Sequence, residues 1–77
     1  MGDEDILLRI GKTIRKLRNL KDWSQDKLAE KSTLDKSFIG RVERGEMNIS
    51  ILSLGQVAAT LGVTIRELVN LAYEETK

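Results

Sequence analysis

Residues 25–44 read QDKLAEKSTLDKSFIGRVER, two short stretches of helical apolar spacing on either side of a four-residue break. The apolar members of the two stretches are Leu28, Ala29, Leu34, Ile39 and Val42. This spacing lets the second helix lie across the first, with the small residue Ala29 where the two backbones meet. The outward residues of the second helix are then Lys36, Ser37, Gly40 and Arg41.

The crossing pair is a helix-turn-helix arrangement, and the charge around it favours a polyanionic partner. Residues 1–5 carry a net charge of −3, residues 6–44 a net charge of +6, and residues 45–77 a net charge of −2. A second helix that presents cations suits the phosphates and base edges of duplex DNA. Residues 45–77, which carry a net negative charge, are available for another function, such as self-association.

Composition excludes several classes of function. Without cysteine or histidine, the chain lacks thiolate ligands, disulfides and the commonest general base, so we expect no enzyme, no cofactor and no metal. With 77 residues there is no room for a ligand-binding domain, so we expect no small-molecule ligand. No apolar run approaches the roughly 20 residues of a membrane span, and the start MGDED is too acidic for a signal peptide. We therefore expect a cytoplasmic protein that does not bind membranes.

The apolar periodicity predicts an all-α fold of five helices that form one domain over residues 1–77. Helix 1 is predicted from about Asp5 to Lys21. Ser24 is the expected N-cap of helix 2, which ends near Lys31 or Ser32.

The later helices carry their own start and stop signals. Asp35 is the expected N-cap of helix 3, which continues to Arg44 and is stopped by Gly45. Ser50 caps helix 4, and Gly62 ends it. In helix 5 a capping box is formed by Thr64 and Glu67.

The apolar residues of helices 4 and 5 exceed what one internal face needs. A core of this size stabilises a domain by only about 3 to 5 kcal/mol, so we expect further burial in a homodimer. The predicted interface residues are Ile51, Ile65, Val69 and Tyr73. The alternative is a set of scattered surface hydrophobes, which is common in monomers.

Four stretches of the chain resemble the Cro/repressor-type helix-turn-helix family: IRKLR at 14–18, SQDKLAEKS at 24–32, FIGRVERG at 38–45 and SLGQVAATLGVTIREL at 53–68. Within that family, LDKSFIGRVERGEMNIS at 34–50 is most similar to restriction-modification controller proteins. The resemblance implies a compact lambda-repressor-like DNA-binding fold, a symmetric homodimer and recognition of DNA by helix 3.

The same resemblance assigns roles to individual residues. It implies that Gln25 binds a backbone phosphate, that Lys36 and Ser37 read base edges with Arg41 one turn further along, and that Asn48 lies in a backbone-contacting loop. It further implies a structural ion pair between helices 1 and 3, formed by Arg18 and Glu43.

The ammonium group of Lys36 lies early in a helix, where the helix dipole disfavours a positive charge. The same group can donate hydrogen bonds to guanine O6 and N7, so a contact with DNA explains this lysine better than a solvated side chain does. For Phe38 and Arg44, near Lys36 in the sequence, two roles remain open. Phe38 either packs in the core or contacts a sugar or a thymine methyl. Arg44 either stabilises the end of helix 3 or contacts DNA.

Three positions depart from the family pattern. Thr33 and Asp22 replace usual glycines; positive φ strains a β-branched residue by roughly 1 to 2 kcal/mol, so a reshaped turn is expected at Thr33. Met47 stands where many controller proteins have arginine, so one DNA contact is expected to be absent.

These observations predict a sequence-specific transcriptional regulator, a repressor or activator, that binds an inverted-repeat operator as a homodimer. The controller resemblance implies that it regulates its own gene and that of an endonuclease. The alternatives are a phage-type or antitoxin-like repressor, and a protein-interaction module of the same fold that does not bind DNA.

Overall fold

The computed structural model describes residues 3–74, with side chains from residue 5 onward. Its five helices are α1 (Asp3–Leu20), α2 (Gln25–Ser32), α3 (Lys36–Glu43), α4 (Ile51–Leu61) and α5 (Ile65–Glu74). The predicted all-α, five-helix fold is confirmed. The first helix begins two residues before Asp5 and ends one residue before Lys21, and the third ends one residue before Arg44.

Three of the four predicted N-caps make their capping hydrogen bonds. Oγ of Ser24 and of Ser50 each accept a bond from the backbone N–H three residues on, at 3.0 and 3.1 Å. Thr64 and Glu67 form the reciprocal capping box, with bonds of 3.0 and 2.8 Å. Asp35 has the extended backbone of an N-cap, but its side chain makes no capping bond, so the expectation for that carboxylate was wrong.

The turn after α2 keeps the left-handed geometry for which the family uses glycine. Thr33 has φ 59° and ψ 34°, and the Leu34 N–H donates to the Ala29 carbonyl at 2.9 Å, which closes the end of the helix. The Thr33 hydroxyl donates to the Ser32 carbonyl at 2.6 Å. The expected reshaping was therefore wrong: Thr33 adopts the left-handed conformation, and local hydrogen bonds within residues 29–34 close the turn. Asp22 likewise has positive φ, at 58°.

The core lies where the helices meet, and each helix supplies a side chain that is at most 1% exposed. These residues are Ile14, Leu28, Ile39, Val57 and Leu68. Ala29 is 4% exposed, as expected for the crossing of α2 and α3. The arrangement fixes α3 by its inner face against α1 and α2, which leaves its outer face free.

Among residues 3–74, no single helix is both long and apolar enough to cross a bilayer. Only α4 and α5 taken together meet those criteria, and they are bent by 86° at the connection between them.

Candidate nucleic-acid interface

The structure brings five of the seven residues predicted to contact DNA to one outer face. These are Gln25, Lys36, Ser37, Arg41 and Arg44. With Gly40 they line an open groove of about 340 Å³. On the groove side of α3, Lys36, Ser37 and Arg41 are exposed and Gly40 is buried. Ile39 and Val42 on the inner face are 1% and 2% exposed. The groove therefore presents donors from a helix whose rotation is fixed by core contacts.

Phe38 and Asn48 lie outside that group. Phe38 is half-buried and packs against the core cluster, in line with the core alternative for this residue. Asn48 is exposed in the connection between α3 and α4, where its predicted contact with the DNA backbone stays a prediction.

Behind the groove, Arg18 and Glu43 form a bidentate ion pair between α1 and α3. Arg18 Nε lies 2.7 Å from Glu43 Oε2, and Arg18 Nη2 lies 2.9 Å from Oε1. Burial alone raises the pKa of Glu43, but hydrogen bonds from Arg18, Gln25 and Arg15 lower it more, so the net shift of the pKa is downward. The hydrogen bond to Glu43 raises the pKa of Arg18.

Gln25 is tied to the same carboxylate, a link that the sequence did not indicate. Its Nε2 donates to Glu43 Oε1 at 2.9 Å, and its Oε1 lies close to Gly40, where a Cβ atom would be 3.5 Å away. One of the two hydrogens on Gln25 Nε2 is thus used in the hydrogen bond to Glu43. The other is available to a phosphate, because the amide group carries two.

Arg15 also reaches Glu43, with its Nε 3.4 Å from Oε1, although its side chain is half exposed. The spacing of Arg15 and Arg18 by three residues was the available signal, since such residues share a helix face. Glu43 therefore joins α1, α2 and α3 behind the groove.

Two ion pairs lie at the rim of the groove. Lys36 Nζ is 3.4 Å from Asp26 Oδ2 of α2, and Arg44 Nε is 3.1 Å from Glu46 Oε2. The hydrogen bond from Arg44 lowers the pKa of Glu46. The composition of the stretch predicted its cations but not these acidic partners.

The predicted dimer residues, the apolar stripe of α4 and α5, differ in exposure: Ile65 and Val69 are partly buried and pack against the core cluster. Ile65, Val69 and Tyr73 are four residues apart on α5, and Ile65 Cδ1 lies 3.6 Å from the Cβ position of Gly55, one turn from Ile51. Ile51 is 66% exposed and Tyr73 38% exposed, and the Tyr73 ring lies 5.0 Å from the Arg9 guanidinium. This apolar stripe is on helices other than the groove helix α3.

A helix-turn-helix family model matches residues 14–68, a range that contains α2, α3, the groove and the buried ion pair. The chain therefore belongs to the helix-turn-helix family.

Its relatives include restriction-modification controllers. The control protein C.MunI from a Mycoplasma species is 38% identical over 65 residues, which cover 83% of this chain and 88% of that protein. The crystal structure of the controller C.AhdI from Aeromonas hydrophila superposes with a TM-score of 0.78 at 42% identity, covering 80% of this chain and 94% of that one.

A third relative is solved with DNA. The controller C.Esp1396I, a tetramer in complex with its natural 35 base-pair operator, has a TM-score of 0.83 and 31% identity, and the match covers 91% of this chain and 92% of that one.

Proposed function

We propose that this chain is a restriction-modification controller: a transcriptional regulator that binds an inverted-repeat operator as a homodimer in the cytoplasm. The observation that carries the proposal is the cationic groove on α3, lined by residues predicted to contact DNA, in a chain similar to controllers over most of its length. The regulated genes are then its own and that of an associated endonuclease.

The residues at the groove are proposed to make two kinds of DNA contact, to base edges and to backbone phosphates. Lys36, Ser37 and Arg41 are exposed on α3 and supply donors to base edges in the major groove, with lysine or arginine directed at guanine O6 and N7. Gln25 and Asn48 bind backbone phosphates, which set the register of the helix without reading sequence. The phosphate contacts make affinity fall steeply with salt.

The two-fold symmetry of the homodimer matches that of an inverted-repeat operator. With the apolar stripes of two copies facing each other, the two α3 helices enter successive major grooves about 34 to 36 Å apart. Concentration is then the regulatory signal, because dimerisation and occupancy of the operator both rise with it.

Selection of binding sites from a pool of random duplexes tests this proposal. We expect an inverted repeat to be enriched, and Lys36→Ala to weaken binding to it by about 1 to 3 kcal/mol with the fold intact. Lys12→Ala is the matched control, because it removes the same charge from an exposed position on α1 that does not line the groove on α3.

Two outcomes contradict the proposal. A wild-type chain that enriches no duplex would favour a protein-interaction module of the same fold. Equal affinity of the Lys36→Ala variant and the wild type for the selected duplex would remove Lys36 from base recognition.

A further inference from the structure

Asp26 is an acidic residue on the surface that the proposed function assigns to a polyanion. It lies in the first turn of α2, next to Gln25, and its Oδ2 is 3.4 Å from Lys36 Nζ. Both side chains are mostly exposed, at 69% for Asp26 and 62% for Lys36. The contact joins the start of α2 to the start of α3, the two helices of the motif.

This contact affects the two kinds of DNA binding unequally. Binding to arbitrary sequence depends on the number of phosphates neutralised by cations, and a carboxylate beside Lys36 lowers the positive charge offered to them. Binding to a base edge depends on a directed hydrogen bond from the ammonium group. An exposed ion pair is weak, so a well-placed guanine competes with Asp26 more effectively than a mobile phosphate contact does.

We infer that Asp26 is a positioning residue for specificity: by holding Lys36, it weakens binding to DNA of arbitrary sequence more than binding to the operator. The inference rests on the proposed function. It assigns a role to a residue that contributes no positive charge, in a place where simple affinity for DNA favours a neutral or basic side chain.

The substitution Asp26→Asn tests the role, with Glu30→Gln as the matched control. Glu30 is on the same helix and is 76% exposed, but its carboxylate lies 3.8 Å from Lys27 instead of Lys36. For each variant, affinity is measured for the duplex selected by the wild type and for a random-sequence duplex of equal length. Thermal unfolding checks that both exposed substitutions keep the fold.

We expect Asp26→Asn to lower the ratio of selected to random affinity by about threefold, the scale of an exposed ion pair, mainly through tighter binding to the random duplex. Glu30→Gln leaves the ratio unchanged. When Asp26→Asn is combined with Lys36→Met, its effect on the ratio disappears, because the residue through which it acts is gone.

Three results would overturn the inference: an unchanged ratio in Asp26→Asn, an equal change in Glu30→Gln, or the same effect of Asp26→Asn with and without Lys36. A wild-type chain that selects no duplex is a different failure, since it rejects the proposed function and leaves Asp26 no specificity to set. Selection by the wild type with any of the three results rejects this inference alone.

Discussion

At Gly11 a single hydrogen atom allows α1 and α3 to approach closely. A Cβ atom there would lie 2.6 Å from the Glu43 carbonyl oxygen and closer still to that of Val42. Both are backbone atoms at the end of α3, so neither can move without shifting the helix. The position of α3 thus depends on a residue that contributes no side chain.

Gly11→Ala is expected to destabilise the protein by about 1 to 3 kcal/mol, because overpacking of a tight contact displaces the backbone. Gly55→Ala is the matched control: its Cβ would be 3.6 Å from Ile65 Cδ1, and alanine in place of glycine inside a helix gains about 0.5 to 1 kcal/mol. Urea unfolding at one protein concentration compares the two, and a similar loss of stability in both variants would contradict the argument.

Among the helices, the carboxylate of Glu43 ties α3 to α1 and α2. Arg18 and Gln25 are 25 and 18 residues away from it along the chain, and the described residues contain no buried side-chain polar atom without a hydrogen-bond partner. Removing one charge from such a buried pair leaves the other uncompensated, which costs more than the pair contributes as a whole.

The pKa of Glu43 is lowered from its ordinary value of 4.5 in the folded protein, so the unfolded chain binds more protons near pH 4 and stability rises with pH there. We expect the free energy of unfolding to be level above about pH 5.5 and to fall as the pH drops through 4.5 towards the lower pKa of the folded state. Unfolding by urea at a series of pH values measures this dependence.

Two substitutions separate Glu43 from other acids in that experiment. Glu43→Gln is expected to cost about 3 kcal/mol at neutral pH and to flatten the acid dependence, because the titrating group is gone. Glu46→Gln, on an exposed acid, should leave most of the dependence in place. An undiminished acid slope in Glu43→Gln would show that other groups cause it.

At the scale of the whole molecule, the described residues span 32 × 20 × 20 Å, and the two predicted surfaces lie on different helices. The groove is on α2 and α3, and the apolar stripe is on α4 and α5. A dimer formed through the stripe can therefore leave both grooves open to DNA.

We expect the wild type to sediment as a dimer at micromolar concentration and Ile51→Glu to sediment as a monomer, because an interface would bury an unpaired charge. Ile51 is 66% exposed in the single chain, so the fold tolerates the change; Leu20→Glu, at a position 72% exposed on α1, is the matched control. Dimers of Ile51→Glu as stable as those of the wild type would exclude the stripe as the interface.

The sequence by itself determined the five helices, most of their caps and the outward direction of Lys36, Ser37 and Arg41 on α3, although Gly40, predicted to face outward with them, is buried. These features depend on residues three or four positions apart, so the hydrophobic period and the capping residues contain the information. Even the start of α3 could be placed from Asp35, although its carboxylate makes no capping bond.

Apart from the Arg18–Glu43 pair, which the family resemblance implied, only the tertiary structure decided the contacts between helices. The bond from Gln25 to Glu43 and the pairing of Lys36 with Asp26 both depend on how the helices cross. The periodicity of a helix predicts the direction in which each of its side chains points. It does not predict which residue of another helix that side chain contacts. The physical reason is that these partners are selected by distance in space, which the burial of the whole core fixes at once.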